Sequence, residues 1–184
     1  MIITDEKTDI QRVLFSEEQI RSRVNEIGLE LTMRFTGKNP IVVCVLKGAS
    51  FFYVDLCRQM KCNVFMDFIA VSSYGESSKS SGVVRIIKDL GKNITDRDLI
   101  LVEDIIDSGL TLKYLTELFE ARKPASITTV CLLDKYERRQ CDMHVDYCGF
   151  KIPDCFVVGY GLDYSDYYRN LPYIGVLDSK VYED

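Results

Sequence analysis

The stretch Leu99-Ile100-Leu101-Val102-Glu103-Asp104-Ile105-Ile106-Asp107-Ser108-Gly109-Leu110-Thr111 decides the fold. It opens on an unbroken apolar run, as in a strand buried on both faces of a parallel sheet. Glu103 and Asp104 are read as closing that strand. Asp107 to Thr111 then turns the chain into a helix whose Leu112, Leu115, Leu118 and Phe119 share one face. Buried strand, tight turn and amphipathic helix are the parts of a right-handed βαβ unit.

The same alternation extends outward. Ser16-Glu17-Glu18-Gln19 has the form of a capping box, and Ile20, Val24, Ile27 and Leu31 follow at helical spacing. A helix is therefore predicted over 17–35, ended by Thr36-Gly37-Lys38-Asn39-Pro40. Residues 41–46 form a second buried strand. A helix over 51–60, a strand over 63–71 and a strand over 83–88 come next, the last two separated by the polar, small-residue segment 72–82. Strands over 126–133 and 156–160 complete the set. The expected architecture is α/β, a mainly parallel sheet flanked by helices, in one domain spanning 1–184.

The turn at 103–111 also carries chemistry. Ligands of open parallel sheets bind at the carboxyl ends of the strands. Three carboxylates within five residues (Glu103, Asp104, Asp107) repel one another unless a cation or hydroxyl groups share them. Ser108, Gly109, Leu110 and Thr111 supply amides and two hydroxyls at a helix N-terminus, which favours an anion. Carboxylates for sugar hydroxyls beside amides for a phosphate describe a ribose 5-phosphate. A lone Asp-Ser-Gly would be read as a capped, solvated turn; its place between a fully apolar strand and an apolar-faced helix favours the ligand. No G-x-x-x-x-G-K-[ST] loop occurs, and Gly159-Tyr160-Gly161 lacks the third glycine of a dinucleotide fingerprint.

Composition narrows the partners. The 184 residues are 47% hydrophobic and 28% charged with a net charge of -5, the make-up of a soluble globular chain and a poor match to nucleic acid. No apolar run is long enough to span a bilayer, and the N-terminus has no signal-peptide core, so a cytoplasmic protein without membrane contact is expected. Seven cysteines without C-x-x-C spacing, and His144 as the one imidazole, are read as reduced, mostly buried thiols rather than a zinc site.

In these motifs the chain resembles the hypoxanthine-guanine phosphoribosyltransferases, from about residue 41 to 178. The 102–111 segment is similar to that family's phosphoribosyl pyrophosphate signature. The supporting segments are Val45-Leu46-Lys47-Gly48, Ser72-Ser73-Tyr74-Gly75, Leu133-Asp134-Lys135, Phe156-Val157-Val158-Gly159-Tyr160-Gly161-Leu162-Asp163-Tyr164 and Tyr168-Arg169-Asn170-Leu171-Pro172. The resemblance implies the type I phosphoribosyltransferase fold. A small hood of N-terminal and C-terminal segments would cover the base site, and a mobile lid at about 72–84 would carry Ser73 and Tyr74.

It also implies roles. Glu103 and Asp104 hold the ribose hydroxyls, directly or through magnesium, and Asp163 helps hold magnesium at the pyrophosphate. Ser108, Gly109, Leu110 and Thr111 bind the 5-phosphate; the family often has a basic residue where Leu110 stands, so here the backbone works alone. Lys47 and Gly48, after a cis peptide between Leu46 and Lys47, bind pyrophosphate together with Arg169. Lys135, Phe156, Val157 and Asp163 receive the purine, hypoxanthine or guanine, and Asp107 is the catalytic base. Homodimers or homotetramers are implied. A xanthine-preferring enzyme and a phosphoribosyl-pyrophosphate-sensing regulator on the same fold are the alternatives; the regulator would need an added DNA-binding module or a basic face.

Overall fold

The computed structural model of the protein describes residues 9–73 and 84–182. Its elements are β1 (Ile10–Phe15), α1 (Glu17–Phe35), β2 (Ile41–Leu46), α2 (Ser50–Gln59), β3 (Phe65–Ser73), β4 (Val84–Lys88), β5 (Asp98–Ile106), α3 (Leu110–Glu120), β6 (Ser126–Asp134), β7 (Tyr147–Lys151), β8 (Val157–Val158) and β9 (Ile174–Leu177). Six strands form one sheet in the order β4-β3-β2-β5-β6-β7. All its pairings are parallel except the antiparallel one between β4 and β3.

Helices cover both faces. Val42, Cys44, Ile100, Val102, Val130 and Leu132 pack with α1 and α2. Ile41, Val43, Val45, Leu99, Leu101 and Cys131 pack with α3. Neighbouring residues of one strand point to opposite faces, so burial on both sides requires the continuous apolar runs seen in β2 and β5. The capping box of α1 forms as expected: Gln19 N donates to Ser16 Oγ at 3.3 Å and Ser16 N to Gln19 Oε1 at 2.9 Å.

Several boundaries differ from expectation. β5 does not close at Glu103 and Asp104; it runs on to Ile106, because Ile105 and Ile106 still pair with Leu133 and Asp134. β3 begins at Phe65 and continues through Ser72 and Ser73, where β4 returns antiparallel to pair with it. The segment over 156–160 does not join the main sheet. Only Val157 and Val158 are strand, in a second, antiparallel sheet ordered β1-β9-β8 that the apolar pattern did not predict. β7 was also unforeseen, since this edge strand is half-buried along most of its length. Of the expected lid, Tyr74 and all residues to 83 lie outside the described residues. All seven cysteines are free, but only Cys44 and Cys131 are buried, so the expectation of mostly buried thiols is corrected.

Candidate active site

Strand order places the site. From β2 the chain crosses outward to β3, whereas from β5 it crosses the other way to β6, so the order reverses between β2 and β5. Loops leaving the carboxyl ends of two such strands diverge and open a crevice. Lys47-Gly48 follows β2 there, and Asp107-Ser108-Gly109 follows β5. The two sides touch closely: a Cβ on Gly48 would overlap the carboxylate of Asp104. The peptide between Leu46 and Lys47 is cis.

A cleft of about 460 Å³ lies at this reversal, lined among others by Lys47, Gly48, Glu103, Asp104, Thr111, Asp163 and Arg169. An adjoining hollow is lined by Glu103, Asp107, Ser108, Gly109 and Thr111. Leu110 lines neither. Gly109 caps α3 with a left-handed φ of 82°, a conformation that costs glycine least. Ser108 Oγ accepts from Leu110 N at 3.4 Å.

The anionic wall is strained electrostatically. Glu103 is buried, and burial, helped by the charge of Asp104, holds its carboxyl well above the usual range. Burial raises Asp104 to about 6, against the opposing pull of the Ile105 amide and Arg169. Glu103 Oε2 is buried without a hydrogen-bond partner among the described residues, as are Asp107 Oδ1 and Arg169 Nε. Buried orphans of this kind are rare in folded proteins, and their gathering along the cleft and the adjoining hollow points to a polar ligand. Asp163 is held by Arg169 Nη2 at 2.8 Å rather than joined to Glu103 and Asp104. Among the described residues no three His, Cys, Asp or Glu side chains are placed as a metal cage.

The same cleft carries two cations, Lys47 and Arg169. Lys47 Nζ and Arg169 Nη2 both reach Oδ1 of Asp166, each at 2.9 Å. Asp166 was not foreseen; its carboxylate spans two cations, and Arg169 and then Lys47 lower its pKa. Arg169 Nη1 also donates to Gly161 O at 2.7 Å.

Of the residues expected around a purine, Asp163 lines the cleft, whereas Lys135, Phe156 and Val157 line neither hollow. Lys135 is buried just past β6, with Nζ 3.4 Å from Asp154 Oδ1. Phe156 is half-buried, with one face stacked on Tyr182 at 5.0 Å between centroids and Tyr164 edge-on at 5.6 Å. Val157 is buried in β8. Arg138, Arg139 and Asp154 were missed as well: in the charged run Lys135-Tyr136-Glu137-Arg138-Arg139 nothing separates a site cation from a solvated one.

Comparison with known proteins agrees with this geometry. Residues 14–165 match the phosphoribosyl transferase domain family. The chain is 55% identical to the hypoxanthine-guanine phosphoribosyltransferase of Bacillus subtilis (strain 168), over 96% of this chain and 98% of that one. It is 48% identical to that of Streptococcus thermophilus (strain CNRZ 1066), over 95% and 97%. A crystal structure of a hypoxanthine phosphoribosyltransferase from Staphylococcus aureus superposes with a TM-score of 0.95 at 45% identity, covering both chains completely. With the motif, the switch-point cleft and these relatives in agreement, the chain belongs to the phosphoribosyltransferase family, among its hypoxanthine-guanine members.

Proposed function

We infer that this chain is a purine salvage enzyme. It transfers the 5-phosphoribosyl group of phosphoribosyl pyrophosphate to N9 of hypoxanthine or guanine, giving IMP or GMP and pyrophosphate. The observation that carries this reading is the switch-point cleft, which sets orphaned carboxylates beside an amide-rich turn and carries two cations.

The bond from C1 of the ribose to the pyrophosphate oxygen breaks as the bond to purine N9 forms. Positive charge develops on the sugar and negative charge on the leaving group, so catalysis is mainly electrostatic. Glu103 and Asp104 hold the ribose hydroxyls. Ser108, Gly109, Leu110 and Thr111 hold the 5-phosphate. Lys47, Gly48 and Arg169 take the pyrophosphate, which replaces Asp166 between the two cations. Asp107 accepts the N7 proton as N9 attacks. Lys135 donates to the 6-oxo oxygen, Phe156 stacks on the ring with Val157 at its edge, and the second sheet serves as the hood.

Magnesium suits the carboxylates Glu103, Asp104 and Asp163, because it takes few protein ligands and neutralises phosphate oxygens. The buried, unpartnered Glu103 Oε2 supports this reading, because it is an acceptor such an ion would use. A homodimer or homotetramer is the inferred assembly, supported by the exposed Phe51 and Val54 on α2. A cytoplasmic setting is supported by the free thiols.

The test is an assay of purine, phosphoribosyl pyrophosphate and magnesium, with kcat/KM compared for hypoxanthine, guanine, xanthine and adenine. The first two should lead. A lead for xanthine would reassign the substrate, and no nucleotide formed with any base would favour a sensor.

A further inference from the structure

The phosphate turn has a charge deficit. Ser108, Gly109, Leu110 and Thr111 contain no cationic side chain, although a phosphate monoester carries close to two negative charges near neutral pH. Amides and a helix dipole supply only part of the compensation. A guanidinium stands directly behind the turn. A Cβ built on Gly109 would lie 3.0 Å from Cδ and 3.1 Å from Nη1 of Arg139. Hence Arg139 packs against the backbone that would cradle the phosphate.

Arg139 is also held and underused. Its Nη2 donates to Asp134 Oδ1 at 2.6 Å, and the two side chains are only 19% and 11% exposed. Its Nη1 is buried and has no hydrogen-bond partner among the described residues. The residues that follow clasp the same turn: Gln140 N donates to Ser108 O at 2.9 Å, and Cys141 Sγ reaches that carbonyl at 3.6 Å. Segment 139–141 is thus a bracket on Ser108 and Gly109, and Asp134 at the end of β6 fixes it.

We propose that Arg139 is the cation of the 5-phosphate subsite, a positioning residue that backs the Gly109 turn and supplies the positive charge its own side chains lack. The proposal rests on the phosphoribosyl reading of that turn. Gly109 has a second reason to be glycine, since a Cβ there would press on Arg139 and Cys141 at 3.0 Å.

A single Arg139→Gln change would strand the buried Asp134 carboxylate, so the decisive variant is Asp134→Asn with Arg139→Gln, which removes both charges. Calorimetric binding of IMP and of inosine, which differ by the phosphate alone, is measured for wild type, this double variant and Arg139→Lys. The expected result is a loss of about ten- to a hundredfold in IMP affinity in the double variant, the size of one charge-assisted contact, with inosine unchanged and Arg139→Lys retaining most of the IMP affinity. Unchanged IMP affinity in the double variant, or equal weakening of IMP and inosine, overturns the proposal and leaves the enzyme reading intact. Wild-type protein that fails to bind IMP overturns the enzyme reading itself.

Discussion

Nε of Arg138 lies 3.0 Å from Oδ1 of Asp107, an ion pair in which the N–H is not aimed at the oxygen, so that Oδ1 has no hydrogen bond. Both side chains are about half exposed, at 50% and 45%. Exposed pairs of this kind are worth roughly 0–1 kcal/mol. Arg138 can therefore be displaced at little cost, as the role proposed for Asp107 requires.

Asp107→Asn is expected to lower kcat by roughly 10²–10⁴-fold, the usual worth of a general base. Phosphoribosyl pyrophosphate binding should survive, because the amides of the turn remain. Arg138→Gln should change kcat by less than about tenfold, in keeping with a weak surface pair. Steady-state rates and equilibrium binding on the two variants check this; near wild-type turnover in Asp107→Asn would remove that residue from the role.

Asp104 predicts an unusual pH dependence. Burial raises its carboxyl from an ordinary 3.8 to about 6. In that window the native state keeps the proton that the unfolded chain has lost. Stability of the free protein therefore falls as pH rises from about 4 to 6, by up to about 3 kcal/mol from this group. Asp104→Asn keeps an acceptor for the Ile105 amide, which Oδ1 now receives at 2.8 Å. It should flatten that decline and raise Tm above pH 6, yet lose binding of magnesium and phosphoribosyl pyrophosphate. The same ionisation makes stabilisation by the two ligands together larger at pH 7.5 than at pH 5.5. Thermal melts across pH, with and without ligands, give both results.

Lys135 is nearly enclosed, at 10% side-chain exposure, while its partner Asp154 is 51% exposed. Lys135→Met should lower kcat/KM for hypoxanthine and guanine by about 10–100-fold, the worth of a charged hydrogen bond, and reduce discrimination against adenine. Asp154→Asn should change these values by less than about fivefold, as removal of a half-solvated partner does. Competition among the purines in one reaction mixture reads both effects.

Tyr160 Oη donates to Asp55 Oδ2 at 2.6 Å, tying α2 to the backbone that precedes Asp163. Burial, reinforced by Asp55, holds the phenol well above its usual range. Tyr160→Phe strands the Asp55 oxygen and should cost about 1–3 kcal/mol. At roughly 2–4 °C per kcal/mol for a chain of this size, the drop in Tm is easily measured. KM for phosphoribosyl pyrophosphate should rise with little change in kcat, since Gly161 also anchors Arg169. An unaltered KM would show that this tie serves stability alone.

Much of the architecture is legible in local pattern. The apolar run 41–46 and the capping box at Ser16 gave their elements to the residue, because burial on both sheet faces and helix capping act between near neighbours. The turn at 107–111 stands out as a candidate anion site by composition alone. The end of β5 was misjudged at Glu103, where charge looks like a strand end; pairing with β6 carries the strand on to Ile106.

The sequence by itself thus determined the α/β class and, through resemblance to a known family, the chemistry. Only the tertiary structure decided which charges meet. Lys47 and Asp166 are 119 positions apart, and Tyr160 and Asp55 are 105 apart. No local signal distinguishes Arg139, tucked behind Gly109, from the half-exposed Arg138 beside it. The second sheet, too, pairs Ile10 with Leu177, strands too short and too distant for any periodicity to join. Such contacts depend on where loops converge at the sheet's carboxyl edge, and strand order sets that convergence.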